Sequence, residues 1–398
     1  MRLKFPFSRR QRRWLAGLLV PAVAAVIVAS AAPATLGQSA PDTEIRGTWL
    51  TNVDSDVLFS SQALRKGLNR LSATNFNTIY PTVWQGGRTL YRSEVAERTF
   101  GLALDPELDG RDALRDAIQQ GHQKGMAVIP WFEFGFMAPP NSRLAQQHPD
   151  WLTQRRDGTK VEGSGDRARV WLNPFHPQLQ QFILDLVTEV VANYDIDGIQ
   201  LDDHFSLPVE FGYDERTARA YRRDTGKLPP ADPHRQQWVS WRADRITEFV
   251  GRLVDEVKRI DPDCIVSVSP APQEFARSKH LQDWSRWRER GYIDELVLQL
   301  YRSDVSRFRS ELGSEPLQQA KADIPVAIGI ISGLKQDTTP LPKLQAQASA
   351  ARQEGFDGIS FFFYESLWVW GNAPELSRMR ALHQLFPQPA QRPSLPAS

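Results

Sequence analysis

The strongest constraint on the fold is a regular alternation of short apolar runs with amphipathic stretches between residues 44 and 387. Short apolar runs between turn signals predict strands that are buried on both faces, and apolar residues repeating every three or four positions predict helices. Strands that alternate with helices form βαβ units and a parallel sheet. The predicted strands span residues 45–52, 78–84, 126–134, 196–201, 264–269, 295–301, 325–331 and 358–364.

Eight such units over roughly 340 residues predict a (β/α)8 TIM barrel with insertions. Segments without clear periodicity follow the third and fourth strands, so long loops are expected at residues 135–177 and 206–236. A doubly wound open sheet is the alternative fold. That fold normally carries a glycine-rich phosphate turn after its first strand, whereas residues 50–53 contain no glycine.

The N-terminus has the pattern of a targeting segment. Arginines between residues 9 and 13 precede the apolar run 14–29, and a small-residue cleavage pattern ends at Ala31. We therefore expect residues 1–31 to be a signal peptide, with an uncleaved membrane anchor as the alternative. Residues 32–43 are expected to form a linker. In both cases the folded part is expected outside the cytoplasm, in the periplasm or cell envelope or secreted.

Composition excludes several classes of site. A formal net charge of +1 gives no reason to expect a nucleic-acid partner. The single cysteine, Cys264, excludes an intramolecular disulfide and a cysteine-based metal site.

Arg46 is expected to neutralise buried carboxylates. The Pro-, Gln- and Ser-rich composition predicts a disordered tail over residues 388–398, and no feature indicates the oligomeric state.

Catalytic motifs narrow the chemistry further. The seven histidines show neither HxH nor HExxH spacing, so neither a metal nor a cofactor is expected. The GxSxG pattern of serine hydrolases is absent as well. Carboxylate chemistry with aromatic and amide partners remains. That combination suits glycoside hydrolysis, in which two carboxyl groups flank the bond that is cut.

Acidic side chains follow the fourth predicted strand. The run 196–201 ends on Asp202 and Asp203, and His204 comes next. In a (β/α)8 barrel the C-terminal ends of the strands form the active-site face, so these side chains are expected to line a cleft. An aspartate at this position can instead cap the following helix. If the strand stays regular, only one of the two aspartates faces the barrel axis, and the other supports it from behind.

A glutamate on the third predicted strand is our first choice for the proton donor. Residues two apart share a strand face, so Glu133 lies with Trp131 while Phe132 and Phe134 pack toward the helices. An acid beside an indole at a pocket mouth has a raised pKa, as a proton donor near neutral pH requires. Glu133 could instead pair with an arginine. Three acids that follow later strands compete for the donor role: Glu274, Asp304 and Glu365.

Aromatic and amide side chains at strand ends complete the candidate site, because aromatic rings can stack on sugar faces. Several have ordinary structural alternatives: Trp131 in the core, Asn173 as a helix cap and Tyr301 in strand packing. The candidate catalytic residues are Asp202, Glu133, Asp203 and Glu365, and the candidate substrate-binding residues are Trp84, Trp131, Asn173, His204, Tyr301, Trp368 and Trp370.

Four motifs together resemble the glycosyl-hydrolase-like 10 family: Arg-Gly-Thr-Trp at 46–49, Trp-Phe-Glu-Phe at 131–134, Leu-Asn-Pro at 172–174 and Asp-Gly-Ile-Gln-Leu-Asp-Asp-His at 197–204. The resemblance implies an extracytoplasmic barrel protein, similar in some members to hydrolases of peptidoglycan glycan strands. The Asp-Gly-x-x-x-Asp pattern is also similar to the nucleophile strand of retaining α-glucosidase-type barrels. This similarity implies that Asp202 is the nucleophile and that the enzyme retains anomeric configuration.

Three functions follow from these observations. The first is an extracytoplasmic glycoside hydrolase whose partner is a polysaccharide, with peptidoglycan glycan strands favoured. The second is a barrel that holds glycan without cutting it. Two carboxyl groups about 5 Å apart favour a retaining enzyme and roughly 6.5–9.5 Å an inverting one, whereas a lone carboxylate favours binding. The third and weakest is a polysaccharide deacetylase, which would need a metal ion at Asp202, Asp203 and His204.

Overall fold

The computed structural model describes residues 41–334, 337–368 and 373–395. The expected signal segment, residues 1–31, and the candidate residue Trp370 lie outside the described residues. Among the residues that are described, no helix has both the length and the apolar character needed to cross a membrane.

The central sheet is parallel throughout and contains eight strand positions. Neighbouring strands follow the order β3-β2-β1-β8-β7-β6-β5-β4-β3, so that each strand lies beside its neighbour in the chain. The strands are β1 Ile45–Leu50, β2 Thr78–Pro81, β3 in two segments Ala127–Val128 and Trp131–Phe132, β4 Gly198–Asp202, β5 Ile265–Ser269, β6 Glu295–Gln299, β7 Val326–Ile331 and β8 Gly358–Phe362.

The two segments of β3 close the sheet into a barrel. The first segment pairs with β2 and the second pairs with β4. Between them, Ile129 N donates to Ile79 O at 3.0 Å, and Gln200 N donates to Pro130 O at 2.8 Å. Pro130 has no N–H of its own, so the regular ladder is interrupted there while the strand continues. The predicted (β/α)8 barrel is therefore confirmed.

Helices separate successive strands. Their starts are encoded locally: Ser60 Oγ accepts from Ala63 N at 3.3 Å at the start of α1, a standard N-cap. The described helices are α1 Ser61–Ala73, α2 Glu94–Phe100, α3 Ala113–His122, α4 Arg143–Gln147, α5 Pro177–Asn193, α6 Glu215–Thr225, α7 Gln236–Ile260, α8 Gln273–His280, α9 Trp284–Glu289, α10 Val305–Leu312, α11 Glu315–Asp323, α12 Leu341–Gln353, α13 Tyr364–Trp368 and α14 Glu375–Leu385.

The long segments after β3 and β4 carry structure that periodicity did not predict. After β3, the short strands Met137–Ala138, Val161–Glu162 and Arg169–Trp171 form an antiparallel sheet, and α4 lies between the first two. After β4 comes α6. The second predicted strand is also shorter than expected, because the chain turns after β2 and Trp84–Gln85 begins a hairpin.

Two separate apolar cores follow from the alternation along each strand. One lies between the strands and the helices, where Ile199 and Leu201 of β4 pack. The other fills the barrel interior, where Trp49, Tyr80 and Trp131 meet. Residues of β4 that are even-numbered therefore face the interior, and those that are odd-numbered face the helices. Because of this alternation, the side chain of Asp202, the last residue of β4, points inward at the rim of the barrel.

Part of the segment for which composition predicted a disordered tail, residues 388–395, lies within the described residues, and it makes specific contacts. Gln391 N donates to Asp42 O at 2.9 Å, and Glu44 N donates to Gln391 O at 2.8 Å, so this segment lies against the start of β1. Arg392 donates to Thr78 Oγ1 at 2.6 Å. Composition could not reveal this, because the partners of Arg392 lie on strands far away in the sequence.

Arg46 has the role expected of it, at the same end of the barrel. Its side chain is fully buried, and its Nε lies 2.7 Å from Glu44 Oε2. Arg352 Nε lies 2.7 Å from the other oxygen of Glu44. Two guanidinium groups thus share one buried carboxylate, which satisfies a charge that would otherwise be costly to bury.

Candidate active site

Asp202 is held by donors from two neighbouring strands. Its Oδ1 accepts from Ser269 Oγ at 3.0 Å and from Gln299 Nε2 at 2.9 Å. Its backbone carbonyl accepts from Gln282 Nε2 at 3.0 Å. The side chain is only 3% exposed, so the barrel wall fixes both its position and its orientation.

One ring nitrogen of His204 lies close to three oxygen atoms, two from carboxyl groups and one from a backbone carbonyl. Its Nδ1 lies 2.9 Å from Asp202 Oδ2, 3.3 Å from Asp203 Oδ1 and 2.9 Å from the carbonyl oxygen of Glu133. Because every neighbour is an acceptor, Nδ1 carries a proton. Burial alone would lower the pKa of His204, but the charges of Asp203, Asp202 and Glu133 raise it to about 10. The imidazole is therefore a cation at neutral pH.

Asp203 does not point away from Asp202 as a regular strand would require. The strand stops at Asp202, where Phe205 N donates to Asp202 O at 3.0 Å and closes a turn. Both carboxyl groups thus lie beside the same imidazole. Burial, followed by the charge of Asp202, raises the pKa of Asp203 to about 7.

Glu133 completes the group from the third strand. Its side chain shares the inward face with Trp131, while Phe132 and Phe134 pack in the outer core as expected. Thr82 Oγ1 lies 3.5 Å from Glu133 Oε2. Burial raises the pKa of Glu133 to about 7; the cationic His204 opposes this rise, and the charge of Asp203 adds to it. The raised pKa agrees with the reasoning from sequence.

Tyr301 and Trp131 lie near this group in different ways. Burial, and then the charges of Asp202, Asp203 and Glu133, hold the pKa of Tyr301 well above its usual value, so its hydroxyl stays protonated. Trp131 is 2% exposed and packs in the interior, with its ring 6.2 Å from that of Trp49. Its alternative role in the core is therefore the one that the structure shows.

Three other candidate residues are buried among protein side chains. Trp84 is fully buried, with its ring 5.7 Å from Phe182, so it cannot serve as a sugar platform. Asn173 is also buried, and its Nδ2 donates to Asp214 Oδ1 at 2.9 Å. It belongs to the cap of α6 rather than to a ligand site. Trp368 is 5% exposed and packs beside Arg70, whose guanidinium lies 5.7 Å from its ring.

Glu365 makes its contacts with the segment that follows β1. It is 9% exposed and accepts from Ser55 Oγ at 2.8 Å. It lines a cavity of about 530 Å³ that Asp54, Asp56 and Glu107 also border. Burial raises the pKa of this carboxyl group, the hydrogen bond from Ser55 opposes the rise, and the charge of Asp56 adds to it.

Another cavity is slightly larger than the one that Glu365 lines, and none of Glu133, Asp202, Asp203 and His204 borders it. Its volume is about 550 Å³. Phe134 and Arg169 border it, and the Arg169 guanidinium lies 5.4 Å from the Phe134 ring. The Phe134 ring in turn lies 5.9 Å from that of His204. The polar residues lining this cavity include Asn52, Gln85, Arg88, Asp105, Glu107 and Asn141.

The residues that hold Asp202 in place, Ser269 and Gln299, were not among the candidate site residues. Ser269 and Gln299 stand at the ends of β5 and β6, so their position in the barrel pattern was a usable signal. Gln282 follows α8 and carried no such signal. His280, at the end of α8, interacts electrostatically with Asp203 and His204.

Asp202, Asp203 and His204 are also the residues that could hold a metal ion, since one ligand atom of each lies within 4.8 Å of the others. His204 Nδ1 already donates to oxygens, so only Nε2 could coordinate. Both oxygens of Asp202 are likewise engaged. A metal ion would have to displace these contacts, and its absence from the site stays a prediction.

A model of one protein family matches most of the chain. The family is described as glycosyl hydrolase-like 10, and the match covers residues 44–350. The chain belongs to the glycosyl hydrolase-like 10 family. This membership confirms the resemblance seen in the four sequence motifs, and the barrel with acids at its C-terminal rim is the structural setting of those motifs.

Individual relatives agree with this assignment. The chain is similar to glycosyl hydrolase DigH of Escherichia coli K12, with 27% identity over 315 residues that cover 68% of this chain and 67% of the relative. It is also similar to glycosyl hydrolase YngK of Bacillus subtilis, with 23% identity over 250 residues, or 58% of this chain and 45% of that protein.

Solved structures share the fold. The glycoside hydrolase domain of PgaB (BpsB) from Bordetella bronchiseptica has a TM-score of 0.65 at 16% identity, covering 87% of this chain and 99% of that domain. The β-amylase catalytic domain from Paenibacillus polymyxa has a TM-score of 0.60 at 12% identity, covering 87% of this chain and all of that domain, 100%. At such identities the comparison concerns the barrel architecture alone.

Proposed function

We propose that this protein is a glycoside hydrolase that acts outside the cytoplasm on a cell-wall or extracellular glycan, with peptidoglycan glycan strands as the favoured substrate. The observation that carries the proposal is a cluster of carboxyl groups around His204. Glu133, whose pKa is raised to about 7, lies there with Asp202 and Asp203. Glycoside hydrolysis requires one protonated and one ionised carboxyl group, and a cluster of carboxyl groups with raised pKa values can supply both forms near neutral pH.

Glu133 acts in this proposal as the general acid. It gives its proton to the glycosidic oxygen, and the electron pair of the breaking C–O bond stays on that oxygen. An ionised aspartate on β4 attacks the anomeric carbon or stabilises its positive charge. Water then adds to the anomeric carbon and returns its proton to Glu133. With a covalent intermediate this sequence retains the anomeric configuration.

In this proposal the sugar occupies the cavity of about 550 Å³, whose lining residue Phe134 has its ring 5.9 Å from that of His204. The amide side chains that line the cavity, Asn52, Gln85 and Asn141, offer both donors and acceptors to hydroxyl groups. Phe59 adds an apolar surface. The location outside the cytoplasm rests on the N-terminal sequence pattern, in which an apolar run follows a basic segment.

One observation favours the alternative, a barrel that binds glycan without cutting it. Asp202 is the aspartate that the sequence motif singles out, yet both of its oxygens are occupied by protein donors. In a binding barrel these contacts would serve only to order the rim.

The test is incubation of the purified mature domain with peptidoglycan sacculi, free glycan strands and common α- and β-glucans. Mass spectrometry reads the products, and Glu133→Gln is the matched inactive control. We expect new reducing ends with wild-type protein on one glycan class and none with the variant. Binding of glycan by wild-type protein without any product would instead establish the binding barrel.

A further inference from the structure

The two neighbouring aspartates at the end of β4 differ sharply in access to solvent. The side chain of Asp202 is 3% exposed, whereas that of Asp203 is 34% exposed. Both lie beside His204 Nδ1, at 2.9 Å and 3.3 Å respectively. A glycan that enters from the rim would therefore meet Asp203 before it could reach Asp202.

The hydrogen bonds of Asp202 point to the same difference. Oδ1 accepts from both Ser269 and Gln299, and Oδ2 faces the protonated nitrogen of His204. A carboxylate that works on an anomeric carbon must present a lone pair to that carbon. Three of the roughly four acceptor sites of this buried carboxylate are already engaged by protein donors, and losing any of them where water does not replace it would be costly.

Asp203 has fewer fixed partners. Its Oδ1 lies 3.3 Å from His204 Nδ1, its carboxyl group shares a side-chain hydrogen bond with Asp202, and the charges of Asp202 and His280 also act on it. Of the two aspartates, it is therefore the one with an oxygen that can turn to a ligand at the rim.

We propose that Asp203 is the carboxyl group that contacts the glycan and that Asp202 is a positioning residue, which holds His204 and through it Asp203. This inference rests on the proposed glycosidase function and reassigns the roles within it. Ser269 on β5 and Gln299 on β6 fix Asp202, so the barrel wall determines where the imidazole lies. The imidazole also donates to the Glu133 carbonyl and thus ties Asp203 to the strand that carries the acid.

The reaction step follows from this division of roles. As Glu133 transfers its proton to the glycosidic oxygen, the C–O bond breaks and its electron pair remains on the oxygen. Ionised Asp203 meets the positive charge that forms on the anomeric carbon. The cationic His204 favours this ionised form, because an opposite charge within a few ångströms stabilises a carboxylate, and it opposes the burial and the Asp202 charge that raise the pKa of Asp203 to about 7.

Chemical rescue separates the two aspartates. Asp202→Ala and Asp203→Ala are each assayed on a glycan that wild-type protein cleaves, with and without sodium formate. We expect both variants to lose at least about a hundredfold in kcat. Formate should restore the Asp203→Ala variant by about tenfold or more, since its cavity opens to the rim. The cavity left by Asp202→Ala is buried, and formate should have no effect there.

Rescue of Asp202→Ala by formate, or no rescue of Asp203→Ala, would overturn the inference. If Asp202→Ala does not fold, Asp202→Asn replaces it, read by the titration of His204 in ¹H–¹⁵N spectra. Loss of the Asp202 charge should lower the pKa of His204 from about 10. An unchanged titration would contradict the positioning role. If wild-type protein cleaves no glycan at all, the proposed function fails, which is a different result from a reversed rescue pattern.

Discussion

The guanidinium of Arg392, near the C-terminus, pairs with the carboxylate of Glu295 at the start of β6. Glu295 is 1% exposed, and it also accepts from Tyr80 Oη at 3.1 Å and from Ser267 Oγ at 2.9 Å. A segment that composition marked as disordered thus supplies the counter-charge for a carboxylate inside the barrel. The pair lies at the end of the barrel opposite the catalytic candidates, so stability and activity can be tested separately.

Arg392→Ala should lower the free energy of unfolding by about 3 kcal/mol, because it leaves a buried charge without its partner. Denaturant titration measures the change. The double variant Arg392→Ala/Glu295→Gln should recover much of the loss, since the charge itself is then gone. Glycan turnover by folded Arg392→Ala protein should be unchanged. A loss below about 0.5 kcal/mol would show that water replaces the guanidinium.

Glu133→Gln should abolish hydrolysis of the natural glycan, with kcat reduced by about 10²–10⁴-fold. Aryl glycosides with good leaving groups should be spared in part, because their oxygen needs no proton. The comparison is a kcat measurement on both substrates with the same enzyme preparation. Equal loss on both, or on neither, would place the donor elsewhere, and Glu365→Gln would then be the next variant to measure.

The free energy of unfolding should depend on pH through the titration of Glu133. The pKa of Glu133 is raised from 4.5 to about 7, so the folded state holds a proton that the unfolded state has released between those values. Its contribution to stability is therefore present below pH 4.5 and is lost as pH rises through about 7.

Glu133→Gln removes this titration, so the variant should gain stability over wild type as pH rises. We expect a gain of about 2 kcal/mol at pH 8 relative to pH 4, allowing for solvent screening. Thermal unfolding of both proteins at the two pH values gives the comparison. A constant difference between the proteins would mean that the pKa of Glu133 is near its ordinary value.

Chelator treatment should leave glycan turnover unchanged. His204 Nδ1 and both oxygens of Asp202 already make hydrogen bonds within the protein, so they are poorly available as ligands. Turnover before and after dialysis against EDTA, with metal analysis of the same samples, tests this prediction. Stoichiometric zinc together with activity lost on its removal would revive the deacetylase interpretation.

The local sequence pattern was enough to predict the strands and to predict which face of a strand the key acidic residues occupy. Asp202 ends β4, and Glu133 shares the inward face with Trp131, as alternation along a strand requires. These features depend on which neighbours in sequence are apolar, and that information lies within a few residues. The four motifs likewise indicated the family, which the family model over residues 44–350 confirms.

Contacts between distant segments decided the rest. Trp84 is core rather than rim because Phe182 of α5 packs against it, and Asn173 caps α6 through Asp214. Arg392 is ordered because Glu295 is buried within its reach. The sequence alone determined the barrel, its family and the acids at its rim. Only the tertiary structure decided which side chains face a ligand, because exposure depends on elements that meet only when the barrel closes.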